Sequence, residues 1–265
     1  MLLTDKVAIV TGGAKGMGRG IAIKFAEEGC NVAIADIDLK EANVTLNQVT
    51  KRGREGLVIG CDITDSNQVR DMVNAVISKF GKVDILVNNA GGVAETDPAV
   101  SNSLANIPEK EWDKVLAINL KGAFLFSKEV IPHMIKQKFG RIINISSLGA
   151  VHPPAVHPHY HAAKAGLLGM TYDMARELGP FNIRVNAILP GPIRTPFYEP
   201  LFESKTEEEK EAFFAELAKI VPLRRMGEPE DIAGAVLFLA SELSAYVTAA
   251  VLPVTGGLPL QPAQH

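Results

Sequence analysis

The sequence predicts an α/β fold: a doubly wound, mostly parallel seven-stranded sheet with helices on both faces, as a single domain over 1–265. Three observations predict it. Strand-length apolar runs alternate along the chain with segments whose apolar residues recur at helical spacing. A glycine-rich turn joins the first apolar run to the first helical segment. At 265 residues, 47% of them hydrophobic, the chain is long enough to bury one large core, and it shows no internal repeat and no interdomain linker.

Val7-Ala8-Ile9-Val10 reads as a strand buried on both faces, because its apolar run is unbroken. Ile21 to Glu28 has helical spacing and stops at Gly29. Val32-Ala33-Ile34-Ala35 is the second strand, closed by Asp36, and Leu57 to Cys61 is the third. Asp65 to Phe80 is helical, with Asp65 or Ser66 as its cap. Val83 to Val87 is the fourth strand and ends at Asn88. Glu109 to Gln137 reads as one long helix, bent near Pro132. Arg141 to Ile145, Ile183 to Ile188 and Val247 to Val254 supply the last strands; Tyr160 to Leu178 and Glu228 to Ala240 supply helices between them. Strands separated by helices imply right-handed crossovers and parallel pairing. Proline clusters at His152-Pro153-Pro154 and Pro190 to Pro200 mark loops.

Composition excludes several classes. A net charge of −3 gives no basic excess for nucleic acid or for an anionic membrane surface. No apolar stretch approaches the roughly 20 residues that span a bilayer. The first strand begins almost at once, which leaves no room for a signal peptide, and the two cysteines, Cys30 and Cys61, read as reduced core residues; the expectation is a cytoplasmic protein.

Thr11-Gly12-Gly13-Ala14-Lys15-Gly16-Met17-Gly18 stands between strand and helix, and Asp36 closes the next strand. That order has the physical logic of a dinucleotide site. Gly12 permits the tight turn, Gly16 lets backbone approach a pyrophosphate, and Gly18 lets the helix pack close to the strand. The helix N-terminus presents free N–H groups to the phosphates. Further along, Tyr160 and Lys164 lie one helical turn apart on one face. An ammonium beside a phenol favours phenolate, which predicts a Tyr160 lowered from about 10 and able to exchange protons near neutrality.

Together these segments resemble the short-chain dehydrogenase/reductase family, in its short single-domain form with T-G-x-x-x-G-x-G and Y-x-x-x-K motifs. The likeness runs from Lys6 to about Gly257 and includes Cys61-Asp62-Ile63, Asn88-Asn89-Ala90-Gly91, Ile118-Asn119-Leu120, Ile145-Ser146-Ser147 and Pro190-Gly191-Pro192-Ile193-Arg194-Thr195. The resemblance implies a Rossmann-type domain that transfers a hydride between a nicotinamide dinucleotide and a secondary alcohol or ketone. It implies that Tyr160 exchanges the proton with the substrate oxygen, that Ser147 rather than Ser146 holds that oxygen, and that Lys164 also holds the nicotinamide ribose. Asn119 would bend its helix and hold a water leading to Lys164. Gly12, Lys15, Gly16, Met17, Gly18 and Asp36 would hold one end of the cofactor. Asp62 and Ile63 would touch adenine, and Asn89, Ala90 and Gly91 would border the adenosine ribose. Pro190, Gly191, Ile193 and Thr195 would lie at the nicotinamide.

Asp36 accepts hydrogen bonds from ribose hydroxyls and repels a 2′-phosphate, so the expected cofactor is NAD; Asp38 deepens the preference, while Lys15 is a signal in the opposite direction. Three segments should shape the substrate pocket: Gly92 to Asn106, His152 to His159, and an aromatic-rich lid at about 194–222. Substrate residues are expected to be Ser147, His157 and Tyr160. The nearby histidines His152, His157, His159 and His161 suggest a metal by their closeness, but the chemistry needs none, and no metal is expected. A small-molecule substrate and a homotetramer, or a homodimer, complete the reading. A 3-oxoacyl-thioester reductase is the nearest rival within the class. A non-catalytic dinucleotide sensor is the rival outside it, although such proteins lose the tyrosine or lysine that this chain keeps.

Overall fold

The seven strands pair in the order β3-β2-β1-β4-β5-β6-β7, all parallel, in the computed structural model, which describes residues 1–93, 103–202 and 205–260. They are Val7–Thr11 (β1), Asn31–Asp36 (β2), Gly56–Gly60 (β3), Ile85–Asn88 (β4), Gly140–Ile145 (β5), Ile183–Pro190 (β6) and Val251–Val254 (β7). The order reverses between β1 and β4. Loops leaving these two strands therefore part to opposite sides and open a crevice beyond their carboxyl ends.

The pleat sends alternate residues to opposite faces. Ala8 and Val10 of β1 join one core with Val32 and Ile34 of β2; Val7 and Ile9 join the other with Ala33 and Ala35. Helices Gly16–Glu27 (α1), Leu39–Thr50 (α2) and, near the C-terminus, Pro229–Ala240 cover the first face through Phe25, Val49 and Val236. Helices Ser66–Phe80 (α3), Gly122–Gln137 and Pro158–Leu178 cover the second through Met72, Phe126 and Leu178.

The long helix expected over Glu109 to Gln137 is instead three pieces. Glu109–Leu116 (α4) leads into a π-turn at Ala117–Lys121, followed by Gly122–Gln137 (α5). The break falls at Asn119 and not at Pro132, which lies inside α5. Helix Pro158–Leu178 is α6. Two further helices were not expected from the sequence. Asp38 caps α2 by accepting the Glu41 N–H, and a reciprocal capping box of Thr206 and Glu209 opens Glu207–Ile220 (α7). Both begin with a capping residue followed three positions later by glutamate, which is the signal that identifies them. Glu207, Glu208 and Glu209 are thus the exposed first turn of a helix, where negative charge is favourable. Pro229–Ala240 is α8.

The last strand is shorter than expected. Ala249 has φ 59°, which no strand residue adopts. The Val247 carbonyl accepts from the side chains of Arg184 (3.1 Å) and Asn186 (3.0 Å) instead of from a neighbouring strand. The polar stretch Thr96 to Asn106 falls largely outside the described residues, as do 203–204 of the lid and 261–265 of the tail. Among the described residues no helix is long and apolar enough to cross a membrane.

Candidate active site

A crevice of about 1080 Å³ opens at the carboxyl ends of the strands. Gly12, Lys15, Gly16, Met17, Gly18, Asp36, Asp62, Ile63, Asn89, Ala90, Gly91, Ser147, His157, Tyr160, Lys164, Pro190, Gly191, Ile193 and Thr195 all line it. Asn119 does not; it is buried.

The glycine turn is built for a close ligand. Gly12 and Gly16 have φ 63° and 52°, the left-handed region where a side chain is strained. A Cβ on Gly18 would sit 2.1 Å from the Gly12 carbonyl oxygen, so only glycine lets α1 start this near β1. The Thr11 hydroxyl accepts the N–H groups of Asn89 and Ala90, both at 3.0 Å, and the Asn89 amide donates to the carbonyls of Thr11 (2.9 Å) and Gly12 (3.1 Å). These bonds lock the two loops of the crevice together. Arg19 braces the turn from behind, donating to the Ala14 carbonyl (2.9 Å) and pairing with Glu41 at 2.7 Å; no sequence signal marks it. Lys15, the N-cap of α1, makes no side-chain cap, and the first turn of α1 carries no acidic residue that would oppose an anion at its N-terminus. The pocket shape and this polar lining fit a dinucleotide.

At the adenosine end, Asp36 accepts the N–H groups of Ala14 (2.9 Å) and Asp38 (3.0 Å). Lys15 pairs with Asp38 at 3.0 Å. The pairing holds Lys15 above its usual value; the Glu41 N–H and then Lys15 hold Asp38 below its own. Asp62 is used by the Thr64 N–H (2.9 Å) and hydroxyl (2.8 Å). Asn88 points away from the crevice into the core, donating to Asn144 (2.8 Å) and Ser127 (3.2 Å). Gly191 lines the crevice and is also packed against neighbouring chain: a Cβ there would lie 2.8 Å from Thr255 Cα.

The two serines separate as strand alternation requires. Ser146 is buried and donates to the Lys164 carbonyl at 2.7 Å; Ser147 lines the crevice and accepts the Gly149 N–H at 3.1 Å. Asn119 donates to the carbonyls of Val115 (2.9 Å) and Gly92 (2.7 Å) and accepts the Gly92 N–H (3.0 Å). A Cβ on Gly91 would lie 2.6 Å from Asn119 Oδ1 and 2.9 Å from Lys164 Nζ, so all three residues converge.

The electrostatics of the tyrosine–lysine pair differ from the sequence expectation. Lys164 Nζ donates to the Ile145 carbonyl at 2.9 Å and lies 5.6 Å from the centre of the Tyr160 ring. Burial dominates both groups. It pushes the Tyr160 phenol up to about 12, with Ser147 pulling it down and Tyr198 adding to the rise, and it brings Lys164 down to about 8. At neutral pH Tyr160 is therefore a proton-bearing acid. His157 and His161 are both lowered, chiefly by burial.

The buried lysine carries a stability cost with a definite sign. Its folded value, about 8, lies below the usual 10.5, so between these pH values the unfolded chain binds more protons. The cost is fully present below pH 8 and is relieved as pH rises towards 10.5. Lys164→Met is expected to raise the melting temperature at pH 7 by about 2–4 °C, the equivalent of about 1 kcal/mol, while turnover is lost. Thermal melts at pH 7 and pH 10 check this: the gain should shrink at the higher pH.

The lid divides its aromatics. Phe202, Phe213 and Phe214 pack edge-to-face, with ring centres 5.3–5.7 Å apart, and Tyr198 joins them; this cluster holds α7 down. Phe197 and Tyr198 also line the crevice, and Phe197 lies 6.3 Å from the Tyr160 ring.

A family model described as enoyl-(acyl carrier protein) reductase matches residues 12–259. The chain is 39% identical over 260 residues to a 3-oxoacyl-(acyl-carrier-protein) reductase FabG of Thermotoga maritima, covering 97% of this chain and 99% of the relative. It belongs to the short-chain dehydrogenases/reductases. A second relative of this family, the (2S)-((R)-hydroxy(phenyl)methyl)succinyl-CoA dehydrogenase subunit BbsD of Thauera aromatica, is 40% identical over 257 residues, 97% of this chain and 98% of that one. The crystal structure of a levodione reductase superposes with a TM-score of 0.88 at 34% identity, covering 96% of this chain and 98% of that one. A short-chain type dehydrogenase/reductase from Mycobacterium marinum superposes with a TM-score of 0.85 at 34% identity over 97% and 96% of the two chains. As a member of this family the protein is an oxidoreductase that binds a nicotinamide dinucleotide.

Proposed function

We propose that the protein is an NAD(H)-linked oxidoreductase of a secondary alcohol and its ketone. The observation that carries this reading is the convergence of Tyr160, Ser147 and Lys164 on the crevice whose other end holds the glycine turn and Asp36. The nicotinamide supplies or removes the hydride at the carbinol carbon. Tyr160 gives its proton to the ketone oxygen, and Ser147 holds that oxygen. Lys164 supports the negative charge left on the phenol and holds the ribose of the cofactor. Asn119 keeps the Gly91–Gly92 turn seated against Lys164, and a water beside it leads protons to that lysine.

NAD is favoured over NADP by the lining of the adenosine end. Asp36 stands where a 2′-phosphate would meet a carboxylate, and Asp38 ties down Lys15, the cation that would otherwise greet it. The substrate half is formed by Leu148, Pro154, Val156, His157, His161, Phe197 and Tyr198. Among the described lining residues the cations are Lys15, Lys114 and Lys164, and none is among these seven. An uncharged ketone flanked by an apolar ring suits such walls, with His157 at its polar edge. The levodione in the name of one structural neighbour and the phenyl group in the name of the Thauera relative suit an apolar ring, while the succinyl-CoA in the latter name suits a thioester.

A second reading, reduction of a 3-oxoacyl thioester, is favoured by the name of the Thermotoga relative. NADH oxidation with cyclic and aryl ketones, straight-chain ketones and acetoacetyl-CoA separates the two. The expected result is highest kcat/KM for a ring-bearing ketone with NADH; faster turnover of the thioester with NADPH would reverse the order. Absence of turnover with every member would support the sensor.

We further place the protein in the cytoplasm, in keeping with two free, buried thiols, Cys30 and Cys61. Half-exposed Phe124 on α5 and Tyr172 on α6 suit a helix-to-helix dimer contact within a homotetramer.

A further inference from the structure

We infer that Glu111 and His159 form a positioning pair that sets the place of Tyr160, an inference resting on the reading of Tyr160 as the proton donor. Neither residue lines the crevice. His159 is fully buried, Glu111 is 14% exposed, and His159 Nε2 lies 3.1 Å from Glu111 Oε1.

Tyr160 needs such an anchor because of where it sits. It is in the first turn of α6, the part of a helix whose N–H groups lack intrahelical partners and which frays most readily. Its N–H closes on the His157 carbonyl at 3.0 Å. His157 in turn is a non-glycine residue at φ 51° and ψ 54°, and it provides no side-chain cap. The first turn of α6 therefore has little in itself to fix the phenol, and the anchor comes from α4.

Glu111 and Val115 share one face of α4, and Asn119, four residues further on in the π-turn, donates to the Val115 carbonyl at 2.9 Å. The first reaches His159, the second is buried, and the third is bonded to Gly92 close to Lys164. Side chains of α4 and the π-turn thus hold both ends of the tyrosine–lysine pair. With Nε2–H donated to the carboxylate, the other ring nitrogen of His159, buried without a partner, is left as an acceptor. Among the described residues Glu111 is then the one polar contact of that ring, and its loss would free the residue adjoining Tyr160.

Glu111→Asp draws the carboxylate back by one methylene, whereas Glu111→Gln keeps both the length and an acceptor oxygen. The experiment measures kcat and KM for the best ketone of the panel, and NADH affinity by fluorescence titration. The Asp variant is expected to lose about 10-fold in kcat, with KM and NADH affinity within about threefold of the parent. The Gln variant should return kcat to within about threefold. Adding His159→Leu to Glu111→Asp should cost no further activity, as for two residues acting as a unit. The inference is overturned if Glu111→Asp keeps the parental kcat, if its loss is matched by equal loss of NADH binding, or if Gln is no better than Asp. A Tyr160→Phe enzyme that still turned over would instead overturn the reading of the tyrosine, whichever way the Glu111 variants behaved.

Discussion

Tyr160→Phe is expected to lower kcat for ketone reduction at least 10³-fold, about 4 kcal/mol in barrier, while the dinucleotide binds as before. The phenol is held up at about 12 by burial, so it carries its proton throughout the neutral range. Giving that proton away creates a phenolate in the same buried place, and the nearby cation is Lys164. Phe keeps the ring and its contact with Phe197 and removes only the hydroxyl that carries the proton. Reduction should also fall as pH rises through about 8, because Lys164 then loses the charge that supports the phenolate. The measurements are stopped-flow NADH oxidation and NADH fluorescence for the variant, and a pH–rate profile for the parent. A variant keeping a tenth of parental turnover would show that the proton comes from elsewhere.

Asp36→Ser combined with Asp38→Asn is expected to shift the kcat/KM ratio of NADPH to NADH by about 100-fold towards NADPH. The choice of residues follows from the bonds each carboxylate makes. Asp36 accepts two backbone N–H groups, and serine keeps one acceptor there. Asp38 caps α2 through the Glu41 N–H, and asparagine caps as well as aspartate. What the pair removes is negative charge. A carboxylate about 4 Å from a phosphate charge repels it by roughly 4 kcal/mol at the dielectric typical near a surface, and exposure at the rim of the crevice reduces this to about half. Lys15, released from Asp38, adds attraction. The ratio measured at one fixed low ionic strength tests this. A parent enzyme that already prefers NADPH would refute the assignment of Asp36.

Much of the site was legible because its chemistry depends on residue types that few other positions tolerate. Gly12, Gly16 and Gly18 are glycines for steric reasons that any chain with this turn must obey. Ser147 was separated from Ser146 by the resemblance, through its spacing to Tyr160, together with strand alternation; in the structure Ser146 bonds the Lys164 carbonyl and Ser147 lines the crevice. The helix from Glu109 was harder to read. Its apolar spacing passes through Asn119 without a visible gap, because a π-turn adds one residue to the loop without changing composition. The lid helix and α2 were passed over because charge and loop character masked short capping signals. No local pattern shows that Gly191 packs against Thr255, a partner more than sixty positions away.

The order of strands and helices, the glycine turn and the acid after β2 follow from local patterns, since backbone sterics and hydrophobic periodicity act over a few residues at a time. Which charges a group feels is settled across the fold. Lys164 seemed in one dimension to be the neighbour that lowers Tyr160; folded, burial governs both, raising the phenol and lowering the ammonium. Likewise Lys15 stands alone in the sequence and is claimed by Asp38 in space. Desolvation and Coulomb energies depend on everything packed around a group, and only the closed structure brings those surroundings together.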